Sequence, residues 1–224
     1  MKNWTNAIQS ILSLFLASNC PLCDRPTSNT MCSDCFRQLQ RCQRAKPNQF
    51  WQGSLPLFVW GRYGGTLKRA IASLKYDNHP ELSQPLGEAL GKAWINFPLS
   101  SQLKKMTVVP IPIHPNKLKT RGFNQAELIA KHFCYYTGLS LQPQGLERVR
   151  ETEAQFGLGI QEREQNLAKA FTVGKVWQKR SPKSEILLLD DIYTTGATVR
   201  SAAEVLQRQG IKVAGIVAIA STKD

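Results

Sequence analysis

Residues 185–198 read EILLLDDIYTTGAT, and this stretch decides the fold class. Residues 186–189 form an unbroken apolar run too short for a helix, as in a parallel strand buried on both faces. Asp190 and Asp191 end the run, and Gly196 supplies a turn. An amphipathic helical pattern follows through Val199, Ala202, Ala203 and Leu206, and stops at Gly210. Strand, acidic pair, hydroxyl-and-glycine loop and helix, in that order, suit a phosphorylated sugar. Carboxylates there can accept hydrogen bonds from vicinal sugar hydroxyls. Thr194, Thr195 and Thr198, with the loop N–H groups, can surround a phosphate at the positive end of a helix. A nucleotide P-loop is excluded, because no Gly-Lys-Ser/Thr sequence closes the turn. The competing reading is an ordinary strand-to-helix turn. An acidic pair and TTGAT at one junction weigh against it.

Outward from this junction the chain alternates strand and helix patterns. Residues 211–220 supply a last buried strand, and upstream 55–60, 107–113 and 171–173 read as strands. Leu67, Ala70, Ile71 and Leu74 keep helical spacing, as do Leu86, Ala89, Leu90 and Ala93. Such alternation predicts an α/β fold built on a parallel sheet. The strand TVVPIPI runs into a cation-rich loop with Lys117, Lys119 and Arg121. Asn124 then caps a helix whose buried face is Ala126, Ile129, Ala130 and Phe133, with Glu127 completing a capping-box pattern. This is either a second anion site or a set of solvated lysines. Residues 148–166 are polar and lack core periodicity, as a mobile lid would. His79 has no catalytic partner, and no Ser-His-Asp or Cys-His arrangement is present.

The N-terminal part carries a different chemistry. Cys20 and Cys23, then Cys32 and Cys35, form two C-x2-C knuckles separated by eight residues. Two such turns complete a tetrahedral four-sulfur shell for a structural zinc ion, closed to substrate. Cys42 and Cys134 read as ordinary thiols. Arg37, Arg41 and Arg44 lie just upstream of Phe50 and Trp51, a mix that can grip single-stranded nucleic acid. A solvated helix face is the simpler account of it. Residues 8–17 are far short of a membrane span; Ile8, Ile11, Leu12 and Phe15 share one helical face. That face predicts a helix packed on the domain behind it, with peripheral membrane contact as the alternative. Lys and Arg total 29 against 16 Asp and Glu, a formal charge of +13 that favours polyanionic partners. Thiols and zinc without a leader sequence point to the cytoplasm.

Several of these motifs resemble one family. DDIYTTGAT after an apolar strand looks like the signature of type I phosphoribosyltransferases, which bind phosphoribosyl pyrophosphate (PRPP). An N-terminal apolar helix, the two knuckles, Tyr63-Gly64, Leu74-Lys75-Tyr76, Val109-Pro110-Ile111-Pro112, Arg121-Gly122-Phe123-Asn124-Gln125 and the Arg148, Gln155, Arg163, Asn166 run together resemble the ComF family. That family joins a four-cysteine zinc finger to a phosphoribosyltransferase-type domain and is associated with DNA uptake in natural transformation. The resemblance implies residues 1–50 as N-terminal helix and zinc finger, and 51–224 as the phosphoribosyltransferase-like domain with a hood at about 145–170. It implies Asp190 and Asp191 as catalytic residues holding the ribose. Thr194, Thr195, Gly196, Ala197 and Thr198 would take the 5-phosphate, and Lys117 and Arg121 would lie near the pyrophosphate. Arg148, Gln155 and Arg163 would sit on the closing loop. Magnesium would arrive with PRPP, held mainly by substrate oxygens and water. The partners implied are PRPP, single-stranded DNA and the uptake machinery. Nucleobase salvage and non-catalytic PRPP sensing coupled to single-strand binding are the alternatives.

Overall fold

The computed structural model describes residues 18–150 and 170–223. The expected helix at 8–17, and Gln155, Arg163 and Asn166, lie outside the described residues.

The alternation of strand and helix patterns becomes a five-stranded parallel sheet. Its strands are β3 (Leu57–Arg62), β4 (Thr107–Pro110), β5 (Ser140–Leu141), β8 (Ile186–Tyr193) and β9 (Val213–Ser221), in the order β3-β9-β8-β4-β5. Two antiparallel pairs stand apart: β1 (Ser18–Asn19) with β2 (Pro26–Thr27), and β6 (Leu146–Arg148) with β7 (Phe171–Val173). The helices are α1 (Ser33–Gln40), α2 (Gly65–Tyr76), α3 (Ser83–Ile95), α4 (Pro115–Arg121), α5 (Gln125–Thr137), α6 (Lys175–Gln178) and α7 (Ala197–Arg208).

The period of two along β8 divides the core into two layers. Leu187 and Leu189 face α2, α3 and α5, whereas Ile186 and Leu188 face α7 and the β6–β7 pair. On the first face Trp94 is ringed by Trp51, Phe58, Phe97 and Phe133 at centroid distances of 5.2–6.0 Å, mostly edge to face. Cys20, Met31, Cys35 and Leu39 of the N-terminal module are buried in that same layer. Residues 42–50 then lie along the outer side of β3. The Arg44, Val59 and Leu57 N–H groups donate to Trp60, Pro47 and Phe50 carbonyls at 2.8, 2.9 and 3.0 Å.

Two elements differ from the sequence expectation. β8 does not stop before the acidic pair but continues to Tyr193, because Asp190 and Ile192 remain in register with Ala218 and Ala220 of β9. The cation-rich segment after β4 is not a loop but α4. Pro115 begins it, the His114 side chain accepts from the Asn116 N–H, and Gly122 closes it with φ of 83°.

Connections run in opposite directions from the middle of the sheet. β4 continues through α5 to β5 on one side, and β8 continues through α7 to β9 on the other. The crevice beyond the carboxyl ends of β4 and β8 is therefore the topological switch point, where open α/β sheets bind ligands.

Candidate functional site at the switch point

β8 delivers the acidic pair to this crevice. The Asp191 N–H donates to Asp190 Oδ1 at 2.9 Å, and the Ile192 N–H donates to Asp191 Oδ1 at 2.8 Å. Both side chains are buried. Burial, with the Asp191 charge beside it, pushes the Asp190 carboxyl well above the usual carboxylate range, while Lys75 pulls the other way. Lys75 is on the last turn of α2, and its Nζ stands 2.5 Å from Asp191 Oδ2. With Oδ1 of Asp191 taken by backbone and Oδ2 by Lys75, a sugar hydroxyl reaches Asp191 only by sharing or displacing the lysine.

The loop after β8 is short. Thr194 and Thr195 are exposed, Gly196 is buried, and Ala197 and Thr198 are half-buried on the first turn of α7. Gly196 has φ of 77°, the left-handed region, and a Cβ there would lie 2.3 Å from the Tyr193 hydroxyl. The Arg200 guanidinium donates to the Thr195 carbonyl at 2.7 Å, and the Ala197 N–H reaches Thr195 Oγ1 at 3.4 Å. Exposed hydroxyls thus stand at the N-terminus of a twelve-residue helix, where backbone N–H groups and the helix dipole favour an anion.

From the β4 side, the Asn124 amide donates to the Ile111 carbonyl at 3.0 Å and its oxygen accepts from the Ala126 N–H at 3.1 Å, tying the strand exit to α5. Lys117 and Arg121 stand one turn apart on α4, Lys117 exposed and Arg121 half-buried. The Arg121 guanidinium donates to the Gln125 side chain and lies 5.6 Å from the centre of the Tyr76 ring. Adjacent residues of α2 therefore link the two halves of the crevice, Lys75 touching the acidic pair and Tyr76 touching Arg121.

The four cysteines converge as their spacing predicts. Their sulfurs all lie within 4.8 Å of one another, against about 3.8 Å between sulfurs in a tetrahedral zinc site with Zn–S bonds of about 2.3 Å. The set could hold a metal ion, and four thiolates suit zinc. The Arg25 guanidinium donates to Cys23 Sγ at 3.3 Å and pairs with Asp34 at 2.7 Å. That hydrogen bond holds the Cys23 thiol down to about 6, while burial pushes Cys35 up to about 12.

No family-level sequence profile matches the chain. Individual proteins do. Competence protein F of Haemophilus influenzae is 26% identical over 211 residues, 89% of this chain and 90% of that protein. DNA utilization protein YhgH of Escherichia coli K12 is 26% identical over 201 residues, 85% of each. Competence protein ComFC of Bacillus subtilis is 26% identical over 195 residues, 85% of this chain and 72% of that protein. Each likeness covers at least 85% of this chain. The chain is thus similar, over most of its length, to competence and DNA-utilization proteins.

The sequence points to the acidic pair, the threonine loop and the cysteines, but not to Lys75, Tyr76, Arg200 or Arg25 as site neighbours. Leu74-Lys75-Tyr76 was visible only as a family mark, since a surface-spaced lysine names no partner. The basic cluster beside aromatics is not one surface. Arg37 and Arg41 are exposed, and Arg37 pairs with Asp34. Arg44, by contrast, is 6% exposed, donates to the Lys223 carbonyl and lies over the Phe50 ring. Trp51 packs on Trp94 and Phe97. Arg44 and Trp51 are therefore core-facing, because residues 42–50 follow the sheet edge instead of a solvated helix. Arg148 covers the Phe171 ring at 5.5 Å on the β6–β7 pair.

Proposed function

We infer that the crevice between β4 and β8 binds PRPP with Mg2+, and that the protein acts in DNA uptake or processing, as the names of its competence and DNA-utilization relatives suggest. The observation that carries the first part is the placement of a buried acidic pair and an exposed threonine loop, at a helix N-terminus, on the switch point of a parallel sheet. Asp190 and Asp191 take the ribose hydroxyls, residues 194–198 the 5-phosphate, and Lys117 and Arg121 the pyrophosphate. Magnesium neutralises the pyrophosphate oxygens when bound. In a transfer reaction the bond from C1 to pyrophosphate breaks and a bond from C1 to the acceptor forms, the acceptor proton passing to water. Positive character grows on the ribose as the leaving group departs. The aspartates favour that charge, and the α4 cations favour the departing one.

Calorimetric titration with PRPP and Mg2+ tests this. Saturable, magnesium-dependent binding is expected, reduced at least about a hundredfold in Asp190→Ala and Thr195→Ala/Thr198→Ala, as loss of two or more charge-assisted hydrogen bonds implies. Heat equal to buffer dilution in the wild-type protein would sink the reading.

A further inference from the structure

The opposite edge of the sheet, where the strands begin, carries a feature that the switch-point chemistry does not use. Because all five strands are parallel, the segments entering β4, β8 and β9 meet there. The Thr107 N–H donates to the Glu185 carbonyl at 3.0 Å, the Ile186 N–H donates to the Lys212 carbonyl at 2.8 Å, and Thr107 Oγ1 lies 2.6 Å from Ser184 Oγ. These bonds lock three chain-distant segments side by side. The segments bring Lys104 and Lys105, Lys179, Arg180 and Lys183, and Lys212, all exposed, with Glu185 as the acid among them. None of the six cations is in an ion pair among the described residues.

Beside this band, β7, α6 and the last turn of α7 enclose a cavity of about 270 Å³. Phe171, Val205 and Trp177 give it apolar walls, and Gln178, Gln209 and Arg208 give it polar edges. The volume is below the ~300–1,000 Å³ of pockets for whole small molecules, so it suits one planar ring. Each glutamine amide carries both donor and acceptor, as the edge of a nucleobase does.

We propose that this edge is a binding surface for single-stranded nucleic acid, the cavity taking one base and the cation band tracking the phosphates. A duplex is disfavoured because its bases are stacked and paired, and drawing one out is costly. An anionic membrane would use the charge but not a slot with amide edges. The site is on the far side of the sheet from the acidic pair, so a strand bound here leaves the crevice open. The inference rests on the DNA-handling part of the reading above and is independent of the sugar-phosphate part.

Fluorescence anisotropy with a labelled thymidine oligonucleotide of about a dozen residues, at about 50 to 200 mM salt, tests it on the full chain. The wild type binds, with log affinity falling against log salt by about 0.7 per phosphate neutralised. Lys179→Glu/Arg180→Glu/Lys212→Glu lowers the affinity at least about tenfold and the slope by about 2, three contacts at 0.7 each. Arg37→Glu/Arg41→Glu changes either far less. An oligonucleotide of the same length with abasic sugars binds about fivefold or more weakly, as loss of a stacked base implies. A thermal melt shows that the triple variant is folded, and PRPP titration of the same variant gives the wild-type heat. Equal affinity in the triple variant, or equal affinity for the abasic strand, overturns the surface while leaving DNA handling intact. Absence of wild-type binding overturns both. Loss of binding to phosphatidylglycerol vesicles with oligonucleotide binding unchanged assigns the band to lipid and overturns the proposal.

Discussion

Lys75 and Asp191 are 15% and 6% exposed at their side chains, so their ion pair is held in a poorly solvated place. Removing one partner leaves the other charge buried and uncompensated, at a cost of about 3–5 kcal/mol. Lys75→Met should therefore lower the unfolding free energy by about 3 kcal/mol in urea, and Lys75→Met/Asp191→Asn should recover part of it. Additive losses in that cycle would deny the coupling. Asp190 gives a separate signature. Its folded carboxyl retains a proton at pH values where the unfolded one, near about 3.9, has lost it. The folded state then binds more protons, so stability is fully present below about 3.9 and is lost as pH rises through the raised folded value. In Asp190→Asn that loss is absent. Urea midpoints measured from pH 4 to pH 8 should show the wild type falling relative to the variant, and parallel profiles would contradict the assignment.

At the scale of elements, the turn from β8 into α7 depends on Gly196. Alanine there must adopt a left-handed conformation costing about 1–2 kcal/mol and must move the Tyr193 ring from a 2.3 Å approach. Gly196→Ala should lower stability by about that amount, and weaken PRPP by about tenfold because the threonines shift with the backbone. Unchanged affinity would show that the loop is not the phosphate cradle. This element was legible because strand, turn residue and amphipathic helix follow one another without a gap. β8 was read two layers deep for the same reason, but its length was not, since the register with β9 that carries it to Tyr193 is a property of a neighbour. α4 was missed because none of its residues is buried, leaving no apolar period to read. β1, β2 and β6 were too short to carry a pattern. Arg44 was misplaced because its surroundings come from the C-terminal Lys223.

In the whole molecule, the cysteine module and the sheet share one apolar layer through Cys20, Met31, Cys35 and Leu39. A bound structural metal contributes on the order of 10 kcal/mol to folding in small modules. Here that contribution is not confined to the module. Chelation, or Cys23→Ser/Cys32→Ser, should lower the melting temperature of the entire protein by about 10 °C or more, in a single transition. Native mass spectrometry should show one zinc ion per chain before chelation. Two separate transitions, with the sheet melting unchanged, would show that the module folds alone.

The strip at 42–50 has a consequence for how this protein meets others. It occupies one border of the sheet with the chain's own backbone, and the opposite border ends in β5, a strand of two residues. Among the described residues, an incoming peptide finds no long row of unpaired N–H and C=O groups at either border of this sheet on which to lay itself as a sixth strand. Contact with a protein partner would then run through side chains on rims and helices, which leaves partner choice open to point substitution and guards the molecule against strand-by-strand stacking with its own copies.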